Sequence, residues 1–132
     1  MYAHIGWTTR GRRPLIDAGI ARLLRRFLWT VAEEESAEIL ELGAVSTHVH
    51  VLLRLHPRVD LSRLLQRWKG GSARLINRDL AGAVGRVGER TRFAWAKGYS
   101  ITTVSPRHVE DARRYVASQA ERHPGEAIDA GG

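Results

Sequence analysis

The most informative stretch of the chain is Thr47-His48-Val49-His50-Val51-Leu52-Leu53, an apolar run that carries two histidines two residues apart. Such a run predicts a β-strand, in which successive side chains point to opposite faces. His48 and His50 then share one face, and the valines share the other, which indicates a core face. Two imidazoles about 7 Å apart along a strand can bind one cation if another element supplies a third ligand. The alternative is an exposed sheet face on which the two histidines are ordinary polar residues.

The composition is that of a single soluble domain. The chain has 132 residues, of which 43% are hydrophobic and 27% charged, enough for one core but not for two. It has no cysteine, which excludes disulfides, thiolate metal sites and cysteine nucleophiles and suits a reducing compartment. Because no apolar run has the length of a membrane span and the N-terminus lacks a signal-peptide pattern, we expect a soluble, cytoplasmic protein. We expect one domain over residues 1–125 and a disordered tail over 126–132.

The charge is strongly positive. The chain has 21 Lys and Arg against 14 Asp and Glu, a formal net charge of +7, and arginine supplies nearly all of the positive charge. Guanidinium groups match the geometry of phosphates, and their pairing releases counterions, so nucleic acid is favoured over an acidic membrane surface. The alternative is a basic surface that binds nothing.

The hydrophobic pattern along the chain predicts alternating strands and helices. We expect strands at residues 2–9, 37–45, 47–55 and 93–104, and helices at 15–35, from Asp60 onwards and at 105–123. Gly70 and Gly71 are expected to interrupt the second helix, and residues 81–92 to form a mobile basic loop. The order strand, helix, hairpin, helix, strand, helix predicts an α+β fold, a ferredoxin-like two-layer sandwich with an antiparallel sheet and helices on one face.

Two polar residues of the last predicted helix stand out. Tyr115 and Gln119 lie four residues apart, so their side chains point the same way one helical turn apart. For Tyr115 taken alone, the alternative is an amphipathic aromatic packed on the core.

A set of four sequence stretches then suggests a family. The stretches are His4-Ile5-Gly6-Trp7-Thr8-Thr9-Arg10-Gly11-Arg12-Arg13-Pro14, the histidine run, Trp68-Lys69-Gly70-Gly71-Ser72-Ala73-Arg74, and Trp95-Ala96-Lys97-Gly98-Tyr99 followed by Tyr115-Val116-Ala117-Ser118-Gln119. In this order and spacing the chain resembles the IS200/IS605-type single-stranded DNA transposases, the small tyrosine transposases of the HUH nuclease superfamily. The resemblance covers nearly the whole length. It implies that His48 and His50 are metal ligands, and that Gln119 completes the metal site. It also implies that Tyr115 is the nucleophile.

The resemblance also implies an activity and its partners. It implies cleavage and rejoining of single-stranded DNA through a 5′-phosphotyrosine, with Mg²⁺ or Mn²⁺ and without a nucleotide cofactor. Family members recognise DNA hairpins at the ends of the element and commonly act as homodimers in which the tyrosine helix of one subunit completes the other's site. The candidate DNA contacts are Arg10, Arg12, Arg13, Lys69 and Arg74.

Two positions depart from the family pattern. Thr47 stands where the family usually has Asp, which can change how His48 is oriented. Only His123 remains where the family often has paired histidines. Three alternatives stay open: a replication initiator or relaxase nuclease, a domesticated DNA-binding or regulatory protein of the same fold, and a metal-binding structural domain.

Overall fold

Four antiparallel strands form the sheet of the computed structural model, which describes residues 1–79, 92–122 and 124–128. The strands are β1 (Tyr2–Thr8), β2 (Ala37–Ala44), β3 (His48–Leu55) and β4 (Ser100–Val104), in the order β2-β3-β1-β4. The helices are α1 (Ala18–Glu34), α2 (Leu61–Asp79), α3 (Val109–Ala117) and the short α4 (Gln119–Arg122). The predicted α+β fold with an antiparallel sheet is confirmed. Most of the predicted basic loop, His123 and residues 129–132 lie outside the described residues.

The alternation of β3 divides the sheet into two faces. Val49, Val51 and Leu53 are fully buried in the main hydrophobic core, on the face covered by α1 and α2. The histidines lie on the opposite face, as the strand periodicity predicts. On the neighbouring strand β1, the residues that share the histidine face are His4, Gly6 and Thr8, which are paired with Leu52, His50 and His48.

The α1 helix is fixed at its start and along one side. The Asp17 side chain accepts a hydrogen bond of 2.8 Å from the Ile20 amide, an N-cap that satisfies one of the free amides of the first turn. The apolar stripe of α1 contributes Leu24 and Leu28, which are buried in the core. The Leu28 carbonyl accepts a hydrogen bond of 3.0 Å from the indole of Trp68, which ties α1 to α2.

The α2 helix runs without a break through Gly70 and Gly71, so the predicted interruption is wrong. A glycine costs about 1 kcal/mol relative to alanine in a helix interior, and here packing outweighs that cost. Gly71 faces α1, where a Cβ atom would lie 2.6 Å from Cζ of Phe27. The glycine therefore lets the two helices approach closely instead of ending one of them.

The two glycines give a paired stability prediction. Gly70 has no atom within 4 Å of where a Cβ would lie, so Gly70→Ala is expected to raise the free energy of unfolding by about 0.5–1 kcal/mol. Gly71→Ala forces Phe27 to move, an overpacking cost of about 1–3 kcal/mol that cancels this gain. Urea unfolding of the two variants and of the unsubstituted protein measures both changes in the free energy of unfolding. Equal gains from both substitutions would contradict the close contact at Gly71.

The helices that follow β4 pack on the second face of the sheet, so helices lie on both faces and not on one face as predicted. The helix predicted over 105–123 is divided: a 3₁₀ turn at Pro106–His108 leads into α3, and a turn at Ser118 separates α3 from α4. The side chains of Ser118 and Gln119 both donate to the Tyr115 carbonyl, at 3.2 and 2.9 Å. Such local side-chain bonds compete with the regular helical pattern, which accounts for the division.

Gly43 on β2 lies in close contact with the backbone of α3. A Cβ atom at this position would lie 2.1 Å from the Val116 carbonyl oxygen. Val116 is fully buried at this contact. The absence of a side chain at Gly43 therefore sets the distance at which the tyrosine helix rests on the histidine face.

The strand predicted over 93–104 is shorter in the structure, since β4 begins at Ser100. Gly98 has a φ of +83°, a left-handed conformation that interrupts the strand. Before this turn, Trp95 forms a single bridge to Thr9 and packs against the core. None of the helices in the described ranges is long and apolar enough to cross a membrane.

Candidate active site

His48 and Gln119 lie side by side between the sheet and the last helices. Their side chains are buried, with 5% and 1% of their surface exposed, and His48 Nε2 is 3.3 Å from Gln119 Oε1. The other amide atom, Nε2 of Gln119, donates to the Tyr115 carbonyl at 2.9 Å. This bond orients the amide so that its oxygen faces the histidine. The structure thus brings together a histidine of β3 and the glutamine that the resemblance pairs with it.

His50 lies beside His48 and contacts a third histidine. The ring centroids of His48 and His50 are 4.9 Å apart. His4 Nε2 is 2.7 Å from His50 Nδ1, a hydrogen bond between β1 and β3. Burial lowers the pKa of His4, which favours its neutral form near pH 7. Sequence reasoning assigned no role to His4, because only the strand register places it diagonally across from His50.

Glycines flank His50 on both neighbouring strands. Gly6 of β1 and Gly43 of β2 are its direct cross-strand partners. A Cβ atom at Gly6 would lie 3.1 Å from Nδ1 of His50, a contact tighter than normal packing. The two glycines therefore leave room on this face for the imidazole and for the helix that lies over it.

Tyr115 projects from α3 against the two histidines. Its ring centroid is 5.6 Å from that of His4 and 6.0 Å from that of His50, both in edge-on geometry. On its other side, the guanidinium carbon of Arg122 lies 4.5 Å from the ring centroid, a cation–π contact. The tyrosine remains 37% exposed. A chain folded in this way therefore presents an accessible tyrosine beside its own histidine pair.

Glu126 contacts the site from the far end of the described chain. The Ser46 amide donates to the Glu126 carbonyl at 2.7 Å, and the carboxylate lies 3.4 Å from His48 Nδ1. A hydrogen bond from Thr47 and the guanidinium of Arg12 lower the pKa of Glu126 and outweigh the opposite effect of burial. The carboxylate is therefore ionised at neutral pH. Residue 126, which the sequence assigned to a disordered tail, is instead bonded to the loop before β3.

An open groove of about 410 Å³ runs along the sheet beside the histidines. Its wall includes Arg12, Lys97 and Tyr99 together with the two histidines of β3. Of the five predicted DNA contacts, Arg12 therefore lies in the groove, and Arg10 and Arg13 are exposed on the same turn. Tyr99 is an exposed aromatic in this groove to which sequence reasoning assigned no role.

The structure does not bring Lys69 and Arg74 to the groove. Lys69 Nζ donates to the carbonyls of Ala96 and Gly98 at 2.8 and 2.6 Å, and partial burial lowers its pKa. Lys69 therefore holds the segment that forms one wall of the groove. Arg74 is exposed at a separate depression bordered by Phe27 of α1 and Gly71 of α2. The sequence alone could not show which basic side chains form hydrogen bonds within the fold and which remain exposed at the groove.

Comparisons with known proteins identify the family of the chain. The family model described as "Transposase IS200 like" matches residues 1–119. The transposase of insertion sequence element IS200 from Salmonella typhimurium is 25% identical over 118 residues, which cover 89% of this chain and 76% of that protein.

Two solved structures share the fold. A proposed transposase from Deinococcus radiodurans R1 superposes with a TM-score of 0.68 at 21% identity, covering 98% of this chain and 92% of that one. A REP-associated tyrosine transposase bound to a REP hairpin superposes with a TM-score of 0.71 at 14% identity, covering 92% of this chain and 67% of that one. Since the family model spans nearly the whole sequence, including the histidine strand, Tyr115 and Gln119, the chain belongs to the family of IS200-like transposases.

Proposed function

We propose that this transposase cleaves and rejoins single-stranded DNA through a covalent 5′-phosphotyrosine at Tyr115. The observation that carries the proposal is the position of the exposed tyrosine, whose ring centroid lies 6.0 Å from that of His50, a residue that also lines the basic groove. Tyrosine is a residue that can form a covalent intermediate and so divide one difficult step into two. Chemistry of this kind needs the nucleophile and the phosphate-binding groups in one place, and here one chain supplies both.

The proposed step conserves the phosphodiester. The Tyr115 oxygen attacks the phosphorus, so that a tyrosine–phosphorus bond forms while the bond from phosphorus to the 3′-oxygen breaks. Tyr115 gives up its proton, and the departing 3′-oxygen takes up one and leaves as a 3′-hydroxyl. Attack by another 3′-hydroxyl on the phosphotyrosine reverses the step and joins two strands without a nucleotide cofactor.

We also propose that His48, His50 and Gln119 hold a divalent cation, Mg²⁺ or Mn²⁺. The donor set fits: when the Nδ1 proton of His48 faces Glu126 and Thr47, the lone pair of Nε2 faces the amide oxygen of Gln119 across 3.3 Å. Two facing lone pairs repel each other, and a cation bound by both atoms removes this repulsion. Bound there, the cation would neutralise charge on a non-bridging oxygen of the scissile phosphate.

The third ligand has to be the amide. No three His, Cys, Asp or Glu side chains within the described ranges form a group that could hold a metal ion by themselves. Two imidazole nitrogens with one amide oxygen suit Mn²⁺ better than Mg²⁺, which prefers oxygen ligands. We therefore expect Mn²⁺ to support the reaction at lower concentration than Mg²⁺.

The groove supports DNA as the substrate. Arg12 and Lys97 place positive charge along it, and the exposed ring of Tyr99 offers a surface on which a base can stack. A structural neighbour of this chain is bound to a REP hairpin, which supports a hairpin as part of the recognised DNA.

We propose in addition that the protein forms a homodimer. The position of Tyr115 beside the histidines of its own chain favours cleavage by each chain independently.

The experiment that tests the proposal uses single-stranded oligonucleotides from both strands of the DNA that flanks the gene. Each is incubated with the protein and Mn²⁺ and run on a denaturing gel. We expect a band of covalent protein–DNA adduct from at least one flanking strand, absent with EDTA and absent with the same sequence as a duplex. Binding without any covalent adduct would favour a DNA-binding or regulatory protein of the same fold.

A further inference from the structure

We infer that the 3₁₀ turn at Pro124–Glu126 is part of the active site and that its Glu126 carboxylate orients His48 as a metal ligand. The inference rests on the proposed function, because it takes His48 to bind the cation. It adds a positioning residue, Glu126, at the first position of the tail predicted to be disordered.

The segment is attached through its backbone. The Ser46 amide donates to the Glu126 carbonyl at 2.7 Å, a short bond across 80 positions of sequence. Ser46 lies two residues before His48 and immediately before Thr47. A main-chain bond at this place fixes the Glu126 side chain next to the first residue of β3, so its contacts with the site do not depend on a flexible side chain alone.

Two polar groups lie close to Nδ1 of His48. The Glu126 carboxylate lies 3.4 Å from it, and the Thr47 hydroxyl oxygen lies 3.0 Å from it. Thr47 also hydrogen-bonds the carboxylate. A hydroxyl has one proton to donate and lone pairs with which to accept. The consistent arrangement is that Nδ1–H donates to the hydroxyl oxygen while the hydroxyl proton faces Glu126, whose carboxylate lies beside the imidazole.

This arrangement determines the nitrogen that is left for a metal. An imidazole with its proton on Nδ1 presents a lone pair on Nε2, the atom that faces Gln119 at 3.3 Å. A carboxylate behind a ligating histidine fixes the tautomer and the ring orientation and makes the ligand more basic. Glu126 is the acidic side chain found at His48 within the described residues, so this role falls to it.

Arg12 holds the other side of the carboxylate. Its guanidinium lies 3.5 Å from Oε1 of Glu126, while Oε2 is the oxygen nearest His48. Arg12 also lines the groove in which we place the DNA. The carboxylate is therefore held between the basic turn after β1 and the first histidine of β3, so it connects the groove wall to the proposed ligand.

The test measures Mn²⁺ binding without DNA, by electron paramagnetic resonance of the free ion, on the full chain. We expect Glu126→Gln to weaken Mn²⁺ binding about 10-fold or more, with Glu126→Asp intermediate because it keeps the charge. The matched control is Glu38→Gln, which removes an exposed carboxylate paired with Arg54 at 3.9 Å elsewhere on the sheet and is expected to bind like the unsubstituted protein. Thermal midpoints measured without metal separate a loss of folding from a loss of binding.

The His48→Ala variant distinguishes a failure of the role inferred for Glu126 from a failure of the proposed metal site. If His48→Ala abolishes Mn²⁺ binding while Glu126→Gln binds as tightly as the unsubstituted protein, the metal site stands and the role of Glu126 is wrong. If His48→Ala leaves Mn²⁺ binding unchanged, the metal site of the proposed function is wrong, and the role of Glu126 falls with it.

Discussion

Replacing Tyr115 with Phe is expected to abolish the covalent protein–DNA adduct, a fall of about three orders of magnitude or more in its rate of formation. The substitution removes only the attacking oxygen. The ring keeps its edge-on contacts with His4 and His50 and the guanidinium of Arg122 on its other side. Since the residue is also 37% exposed, we expect the free energy of unfolding to change by less than about 0.5 kcal/mol.

A denaturing gel of the flanking oligonucleotides measures this prediction, with DNA binding measured in parallel by gel shift. Tyr2→Phe is the matched control, because Tyr2 lies on β1 at the end of the sheet away from His48, and this variant should form the adduct normally. Tyr115→Phe should still bind the DNA. If the adduct persisted in Tyr115→Phe, the nucleophile would have to be a different hydroxyl, and Tyr99, which lines the groove beside the histidines, would be tested next.

Gly43→Ala is expected to lower adduct formation about 100-fold although it replaces none of the proposed reacting groups. A Cβ atom at this position would lie 2.1 Å from the Val116 carbonyl oxygen, and because this neighbour is backbone, α3 as a whole has to move. Tyr115 and Gln119 flank that contact and move with it. A displacement of about 1 Å at a reacting group is enough for a loss of this size, and the overpacked contact costs about 1–3 kcal/mol of stability.

The activity and the urea-unfolding free energy of Gly43→Ala have to be measured together. Gly70→Ala serves as the control, because it makes the same chemical change in α2, where it meets no atom within 4 Å. Folded Gly43→Ala protein with normal adduct formation would show that α3 does not depend on this contact for its position.

The fold was predictable from the sequence to the level of element type and order. Strand alternation around the histidines and the apolar stripes of α1 and α2 are local signals, and both faces of β3 are as the alternation predicts. The wrong break at Gly70 and Gly71 has a tertiary cause, because the contact between Gly71 and Phe27 joins residues 44 positions apart. The shorter β4 follows from the conformation of Gly98, which a lone glycine in the sequence does not specify.

The candidate site was only partly predictable. Spacing places His48 with His50 and Tyr115 with Gln119, and the resemblance joined the two pairs, which the structure brings to within 3.3 Å of each other. His4 and Glu126 escaped prediction, because their contacts depend on a strand register and on a main-chain bond between distant residues. The positions of Lys69 and Arg74 in the fold could not be inferred from charge alone, since the carbonyls that bind Lys69 become neighbours only in the folded chain.

The distances along the sequence at this site have a consequence for how the protein is made. His4 and His50 are 46 residues apart, and His48 and Gln119 are 71 apart. During synthesis, β1 to β3 and the two helices of the core leave the ribosome before the tyrosine helix does. A growing chain can therefore begin to form its sandwich while it still lacks Tyr115, and the proposed active site is complete only once the last helices have been synthesised.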